Sequence, residues 1–268
     1  MPYTPKDHVF AVCAYGKSDY LEECIISLEQ QTQQSNIIIC TATPSSFLDE
    51  IAHRHHLQIY VNDGPHGIAG DWNFAYSQAD SMLVTLAHQD DVYDPAYLTR
   101  VLDRLNRAKQ PMICFTDYYE LRNGKKVFAD GNKNLRIKEM VLMPLRINAF
   151  ENSRWIRRRV LSLCDPICCP AVTYVKPNLP DMLFETHFAS DLDWQAWEKL
   201  SRLKGGFCYI HESLMGHRIH DESTTTKVIG DDNGRSSEDL EMYMKFWPKP
   251  VAKCLNAFYS SGQKANKL

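Results

Sequence analysis

Apolar residues along this chain recur in two rhythms. Short runs rich in Val, Ile, Leu and Cys stand at 9–14, 37–41, 57–61, 82–87 and 112–116. Runs of this length between polar turns predict buried strands. Between them, apolar positions repeat every three or four residues. Leu21, Cys24, Ile25 and Leu28 mark a helix over 20–31, with Ser18 or Asp19 before it as a cap. Phe47, Leu48 and Ile51 mark another over 44–55, opened by Pro44. Further helices are predicted over 71–79 and 95–109. Alternating strands and helices at this spacing predict an α/β fold, with a mainly parallel central sheet covered by helices on both faces. Ligands of such sheets sit at the carboxyl ends of the strands.

Beyond residue 116 the rhythm changes. Asn123-Gly124 signals a hairpin tip. The stretch 148–163 reads as a helix carrying Arg157-Arg158-Arg159, a phosphate or membrane contact on one reading and a solvated face on the commoner one. A strand is predicted over 171–175, a helix over 191–203, two short strands over 207–210 and 213–219, and a last helical region over 238–261 broken at Pro248 and Pro250. Residues 1–116 are expected to form an α/β part, 117–225 a second part of the same domain, and 226–268 a C-terminal helical extension.

Composition narrows the class. The 268 residues are 44% apolar and 24% charged, which suits an ordinary folded protein with a sizeable core. A net charge of −3 argues against a general nucleic-acid binder. The opening residues do not form a signal peptide, and no apolar run is long enough to span a bilayer. Nine cysteines, many inside apolar runs, suit reduced thiols and a cytoplasmic setting. Cys164, Cys168 and Cys169 lack a second matching pair and are expected to pack rather than bind metal.

The strongest chemical signal is His88-Gln89-Asp90-Asp91, directly after the apolar run 82–87. Two adjacent carboxylates at the end of a core strand repel each other and are costly to bury. A divalent cation, Mg²⁺ or Mn²⁺, explains them. So does an acidic turn before the next helix, and the motif alone leaves the two even.

Several blocks, taken in order, resemble family 2 glycosyltransferases. They are Ala14-Tyr15-Gly16 with 20–32, Gly67-Ile68-Ala69-Gly70-Asp71-Trp72-Asn73, Asp90-Asp91 with Pro95 and Leu98, Ser190-Asp191-Leu192-Asp193-Trp194, and Arg218-Ile219-His220 with Ser223-Thr224-Thr225. Together they span nearly the whole chain. The resemblance implies a Rossmann-like nucleotide-sugar fold and inverting transfer of a sugar from a nucleotide diphosphate donor, UDP-linked. It implies an acceptor hydroxyl on a glycan, a lipid-linked or a protein-linked molecule, in cell-surface glycan synthesis. Carried over residue by residue, Asp90 lies near the donor ribose and Asp91 binds Mn²⁺ or Mg²⁺. His220 approaches that metal or the diphosphate, with Arg218 beside it. Asp191 is the catalytic base, and Ala14, Tyr15 and Asn73 line the nucleotide pocket. Two departures stand out. The segment Cys40-Thr41-Ala42-Thr43-Pro44-Ser45 lacks the usual acids, which leaves the nucleobase open, and His88 replaces the first acid of a spaced pair, which implies weaker metal binding.

These residue types fit the chemistry. A leaving diphosphate needs its charge neutralised, and an acceptor hydroxyl needs a base. Blander readings stand beside them. Asp191 at a helix start reads locally as a cap, and Asp193 is the rival base. Lone histidines are more often satisfied groups than ligands. Trp194 and Trp197 read as core. Gly64, Gly67 and Gly70 read as a turn or close packing rather than a dinucleotide fingerprint. A nucleotidyltransferase would need a longer, glycine-rich basic loop than Ala14-Tyr15-Gly16-Lys17-Ser18. A non-catalytic partner of a true enzyme would have no reason to keep Asp91, Asp191 and His220 together. Lys245, Lys249, Lys253, Lys264 and Lys267, interleaved with aromatics, predict a tail helix that packs on the domain, or one that lies peripherally on an anionic membrane.

Overall fold

A computed structural model describes residues 2–220 and 232–264; the block Ser223-Thr224-Thr225 and Lys267 lie outside the described residues. The first part follows the apolar rhythm. Strand β1 (His8–Ala14), helix α1 (Leu21–Glu29), β2 (Asn36–Thr41), α2 (Ser46–Arg54), β3 (Gln58–Val61), α3 (Ile68–Gln78) and β4 (Leu83–His88) succeed one another. β5 (Val92–Tyr93) and α4 (Tyr97–Leu105) complete this half. Local chemistry sets the ends. The Ser45 hydroxyl accepts the Leu48 amide at 3.3 Å to start α2. Gly67 enters α3 with φ of +91°. A Cβ at Gly70 would stand 2.2 Å from the Pro65 carbonyl oxygen, so this glycine serves close packing, as expected.

The second part holds β6 (Pro111–Arg122), β7 (Lys125–Val127), α5 (Lys133–Leu142), α6 (Arg154–Leu161), β8 (Val172–Val175), α7 (Leu192–Ser201), β9 (Gly206–Ile219), α8 (Asp232–Met244) and α9 (Lys249–Lys264). Asn123 and Gly124 both take positive φ, 48° and 73°, between the paired residues Arg122 and Lys125, which makes the predicted hairpin. β6 runs on past residue 116, and the two short strands expected after residue 206 form one strand, β9. Its pairing with β6 jumps from Thr116–Ile210 to Asp117–Ser213, so His211 and Glu212 bulge out.

The sheet order is β3, β2, β1, β4, β8, β6, β9, β5, with β7 on the end of β6. β3 to β4 are parallel, as expected. β8 is antiparallel to both its neighbours, while β6 and β9 are parallel, so the sheet is mixed. One face carries α1, α2 and α4. The other carries α3, α6, α7, α8 and α9. Trp194 and Trp197 are fully buried in that second core. The tail also packs there through Ala252, Leu255 and Tyr259. No helix among the described residues is long and apolar enough to cross a membrane.

The basic run departs from the expected solvated face. Arg157 is completely buried, and its guanidinium donates to the carbonyls of Ser201, Leu203 and Gly205, closing the C-terminal end of α7. Arg158 pairs with Glu198 at 2.6 Å and lies over Phe246, and Arg159 lies over Trp247.

Candidate active site

The site forms where the carboxyl end of β4 meets the end of β9. Val92 pairs with Gly216, which sets residues 90 and 91 against 217–220. Asp91 is 1% exposed. Its Oδ1 accepts the Arg218 amide at 2.9 Å and faces His217 Nδ1 at 3.1 Å. Burial alone would raise its pKa. The charge and hydrogen bond of His217, with His88 and the Arg218 amide, outweigh burial and hold the carboxyl below its ordinary value. Burial likewise works against a charged His217, and Asp91 overrides it and raises the imidazole pKa. Among the described residues, buried Asp91 Oδ2 has no hydrogen-bond partner, and neither has His88 Nε2, whose ring stacks on Trp72 at 4.7 Å.

Asp90 points the other way. Its Oδ1 accepts the Ser18 hydroxyl at 2.6 Å, and its Oδ2 lies 3.3 Å from His220 Nε2. These two side chains are 24% and 16% exposed, although His220 Nε2 itself is buried. The His220 ring also meets Tyr20 at 5.2 Å. Arg218 supports them from behind. Its guanidinium lies over the Tyr20 ring, donates to the Asp90 carbonyl at 2.8 Å and pairs with Glu23 at 2.7 Å.

The expected site residues therefore divide. Asp90, Asp91, Arg218 and His220 come together. The ligating atoms of Asp90, Asp91 and His220 do not converge on one point, however. Among the described residues, three such groups lie within 4.8 Å of one another only at Asp117, Glu139 and His211. That cluster sits at the β9 bulge, where Asp117 also accepts the Tyr209 hydroxyl. Ala14 ends β1 and is buried. Tyr15 is an exposed neighbour, tied through its backbone to the Gln89 amide. Asn73 spends its amide on the chain itself, donating to Phe184 O at 2.8 Å and accepting the Leu183 and Phe184 amides.

Asp191 stands at the start of α7 but its side chain makes no cap hydrogen bond to that helix. Glu238 of α8 takes the backbone amides of Ala189, Ser190 and Asp191 instead. Asp191 is buried within electrostatic reach of Tyr243. Asp193, two residues on, faces the other way. Its charge acts on Asp165 and contributes to the field at His88. Burial and the Asp193 charge push the Asp165 pKa well up. Next to it lies Lys138, which donates to the Tyr118 hydroxyl at 3.1 Å, and Tyr118 meets His217 edge-on at 6.1 Å.

Sequence reasoning missed His217, Glu23 and Asp165 as site residues. For His217 a signal existed: it neighbours Arg218 on a strand end. Glu23 and Asp165 reach the site only through long-range packing.

The model of glycosyl transferase family 2 matches residues 9–164. Among solved structures, residues 1–349 of S. aureus TarS in complex with UDP-GlcNAc align with a TM-score of 0.63 at 12% identity, over 94% of this chain and 71% of that one. The Pyrobaculum calidifontis mannosyltransferase PcManGT, in complex with GDP-Man and Mn²⁺, aligns with a TM-score of 0.64 at 10% identity, over 99% of this chain and 78% of that one. Glucosyl-3-phosphoglycerate synthase from Mycobacterium tuberculosis, with Mn²⁺, UDP and phosphoglyceric acid, gives 0.59 at 11% identity, over 91% and 80%. At these identities the likeness is one of fold. No curated protein sequence matches the chain.

Proposed function

The chain belongs to glycosyl transferase family 2, and from that premise we propose that it moves a hexose or N-acetylhexosamine from a UDP-linked donor to an acceptor hydroxyl with inversion, in cell-surface glycan synthesis in the cytoplasm. The observation that carries this reading is the part-exposed pair of Asp90 and His220, Oδ2 to Nε2 at 3.3 Å, backed by Arg218. One carboxylate oxygen and one imidazole nitrogen 3.3 Å apart on part-exposed side chains fit Mn²⁺ or Mg²⁺, which retain water and phosphate oxygens as further ligands. The expectation gave the cation to Asp91 and His220. We propose another role for buried Asp91, that of fixing the end of β9 through His217 and the Arg218 amide.

The chemistry follows from these placements. When bound, the cation offsets the charge that grows on the leaving diphosphate. Asp90 and His220 would hold it, and Ser18 and Arg218 fix Asp90 in turn. The bond from the anomeric carbon to the donor phosphate oxygen breaks. The acceptor oxygen bonds that carbon from the opposite face, and its proton passes to a carboxylate. Family position makes Asp191 that base. A second reading favours Asp193, because its carboxylate lies within the electrostatic reach of His88 at the strand end. Transfer from UDP-sugars to an alcohol acceptor, measured for Asp191→Asn and Asp193→Asn, tests both. The base variant should bind UDP normally and lose transfer by on the order of 10²-fold or more. Full turnover in both variants would sink the base-catalysed reading.

A further inference from the structure

A different surface of the molecule bears on where it works. α5, the 3-10 turns Met143–Arg146 and Asn148–Phe150, and the start of α6 pack on one another as one ledge. The inner side of the ledge is apolar and buried, through Leu135, Leu142 and Leu145. Its outer side is apolar as well. Ile137, Met140, Met143, Ile147, Phe150 and Trp155 are all exposed, the last by 72%. Single exposed apolar residues are ordinary, but six within one short stretch form a patch. Ile137, Met140 and Met143 are spaced by three, so they lie along one line of α5 and its continuation.

The charges around the patch are one-sided. Between residues 133 and 155 the exposed charged side chains are Lys133, Arg136, Arg146 and Arg154, with no exposed acid. Glu151, the buried acid of this stretch, is taken by Arg104, and half-buried Glu139 lies 4.0 Å from Arg146, which leaves Lys133, Arg136 and Arg154 as the cations with no acid of this stretch beside them. Positive local charge on a chain of net charge −3 means that the cations are concentrated here. We propose that this ledge docks the protein on an anionic lipid bilayer. Apolar and aromatic tips enter the interface while arginine and lysine meet the headgroups. A second copy is a poor occupant, because two-fold pairing of this face sets its four cations against their own images. The inner side of α5 carries Lys138, which reaches His217 through Tyr118. Docking would thus hold the site close to the lipid surface. The tail makes a weaker candidate, since its apolar face is largely used in packing. The docking inference does not depend on the transfer reading.

The test is co-sedimentation of the full chain with phosphatidylcholine vesicles containing or lacking about one third phosphatidylglycerol, at low and high salt. Binding should need the anionic lipid and weaken with salt. Replacing Lys133, Arg136, Arg146 and Arg154 by Gln should lower the partition coefficient by about 10²-fold or more. Trp155→Ala with Met143→Ser should lower it by roughly tenfold. Both variants alter only exposed positions and should melt like the wild type, whereas Lys249→Gln with Lys253→Gln should bind like the wild type. Failure of the wild type to bind at low salt would overturn the proposal. So would ledge variants that bind like the wild type, or a concentration-dependent dimer abolished by Trp155→Ala.

Discussion

The two halves of the sheet are held together by different means. From β3 to β4 each parallel strand is followed by a helix whose apolar stripe lies on the sheet. Charges there stay outside, as in the exposed pair of Arg54 and Glu22. From β8 to β5 the long strands β6 and β9 lie between the short β8 and β5, directions are mixed, and charges lie within the packing. Arg157 closes α7, Glu151 takes Arg104, Asp117 joins Tyr209 and His211, and Asp91 joins His217. The first half is a scaffold built by burial of apolar area. The second is held partly by hydrogen bonds that fail outright when one partner is lost. The candidate site lies on the seam, with Asp90 and Asp91 from the first half and His217 to His220 from the second.

The sharpest way to break this contrast is at two arginines. Arg157→Met keeps the apolar stem and removes the donors to three carbonyls. Each carbonyl left unpaired costs about 1–3 kcal/mol, so a loss of about 3 kcal/mol or more is expected. In the melting temperature this is a fall of roughly 5–10 °C. Arg54→Met, in the first half, should change stability by no more than about 0.5 kcal/mol, because its pair is exposed. Comparable losses in both variants would erase the distinction.

The same contrast explains what could be read along the chain. The strands and helices up to residue 105 follow from apolar spacing, caps and turns, all of them local signals. Trp194, Trp197, the Asn123-Gly124 hairpin and the glycine at 70 also followed from local chemistry. Arg157 did not. Three consecutive arginines look solvated until α7 and its carbonyls are known to end beside them. The bulge at His211 was read as a break between strands because pairing partners, not residue types, decide whether a strand continues. At the site, the carboxylate pair was legible, but which member is open to solvent was not. Only the pairing of Val92 with Gly216 turns Asp91 inward and leaves Asp90 beside His220.

A smaller effect sharpens the picture at the start of α7. Glu238 receives three backbone amides and the Ser190 hydroxyl. Burial raises its pKa, but the Ser190 hydroxyl and these amides win, and its carboxyl stands below the ordinary glutamate value. A carboxyl depressed on folding adds stability above its unfolded pKa, and that stability is lost as pH falls through the folded pKa. Glu238→Gln should therefore cost about 1 kcal/mol near neutral pH. In thermal melts across pH, the gap between variant and wild type should close in acid. A gap that persists below the carboxylate range would mean that shape, not charge, matters at this position.

The central claim is that Asp90 and His220, not buried Asp91, form the cation-dependent donor site. Calorimetric titration of UDP into the protein, with Mn²⁺ and with chelator, tests it most directly. For the wild type, removing the cation should weaken binding by at least about tenfold, or about 1.4 kcal/mol. Asp90→Asn should bind weakly in both conditions while melting like the wild type. Equal affinity of the wild type with and without chelator, or full Mn²⁺ dependence retained in Asp90→Asn, would contradict the account.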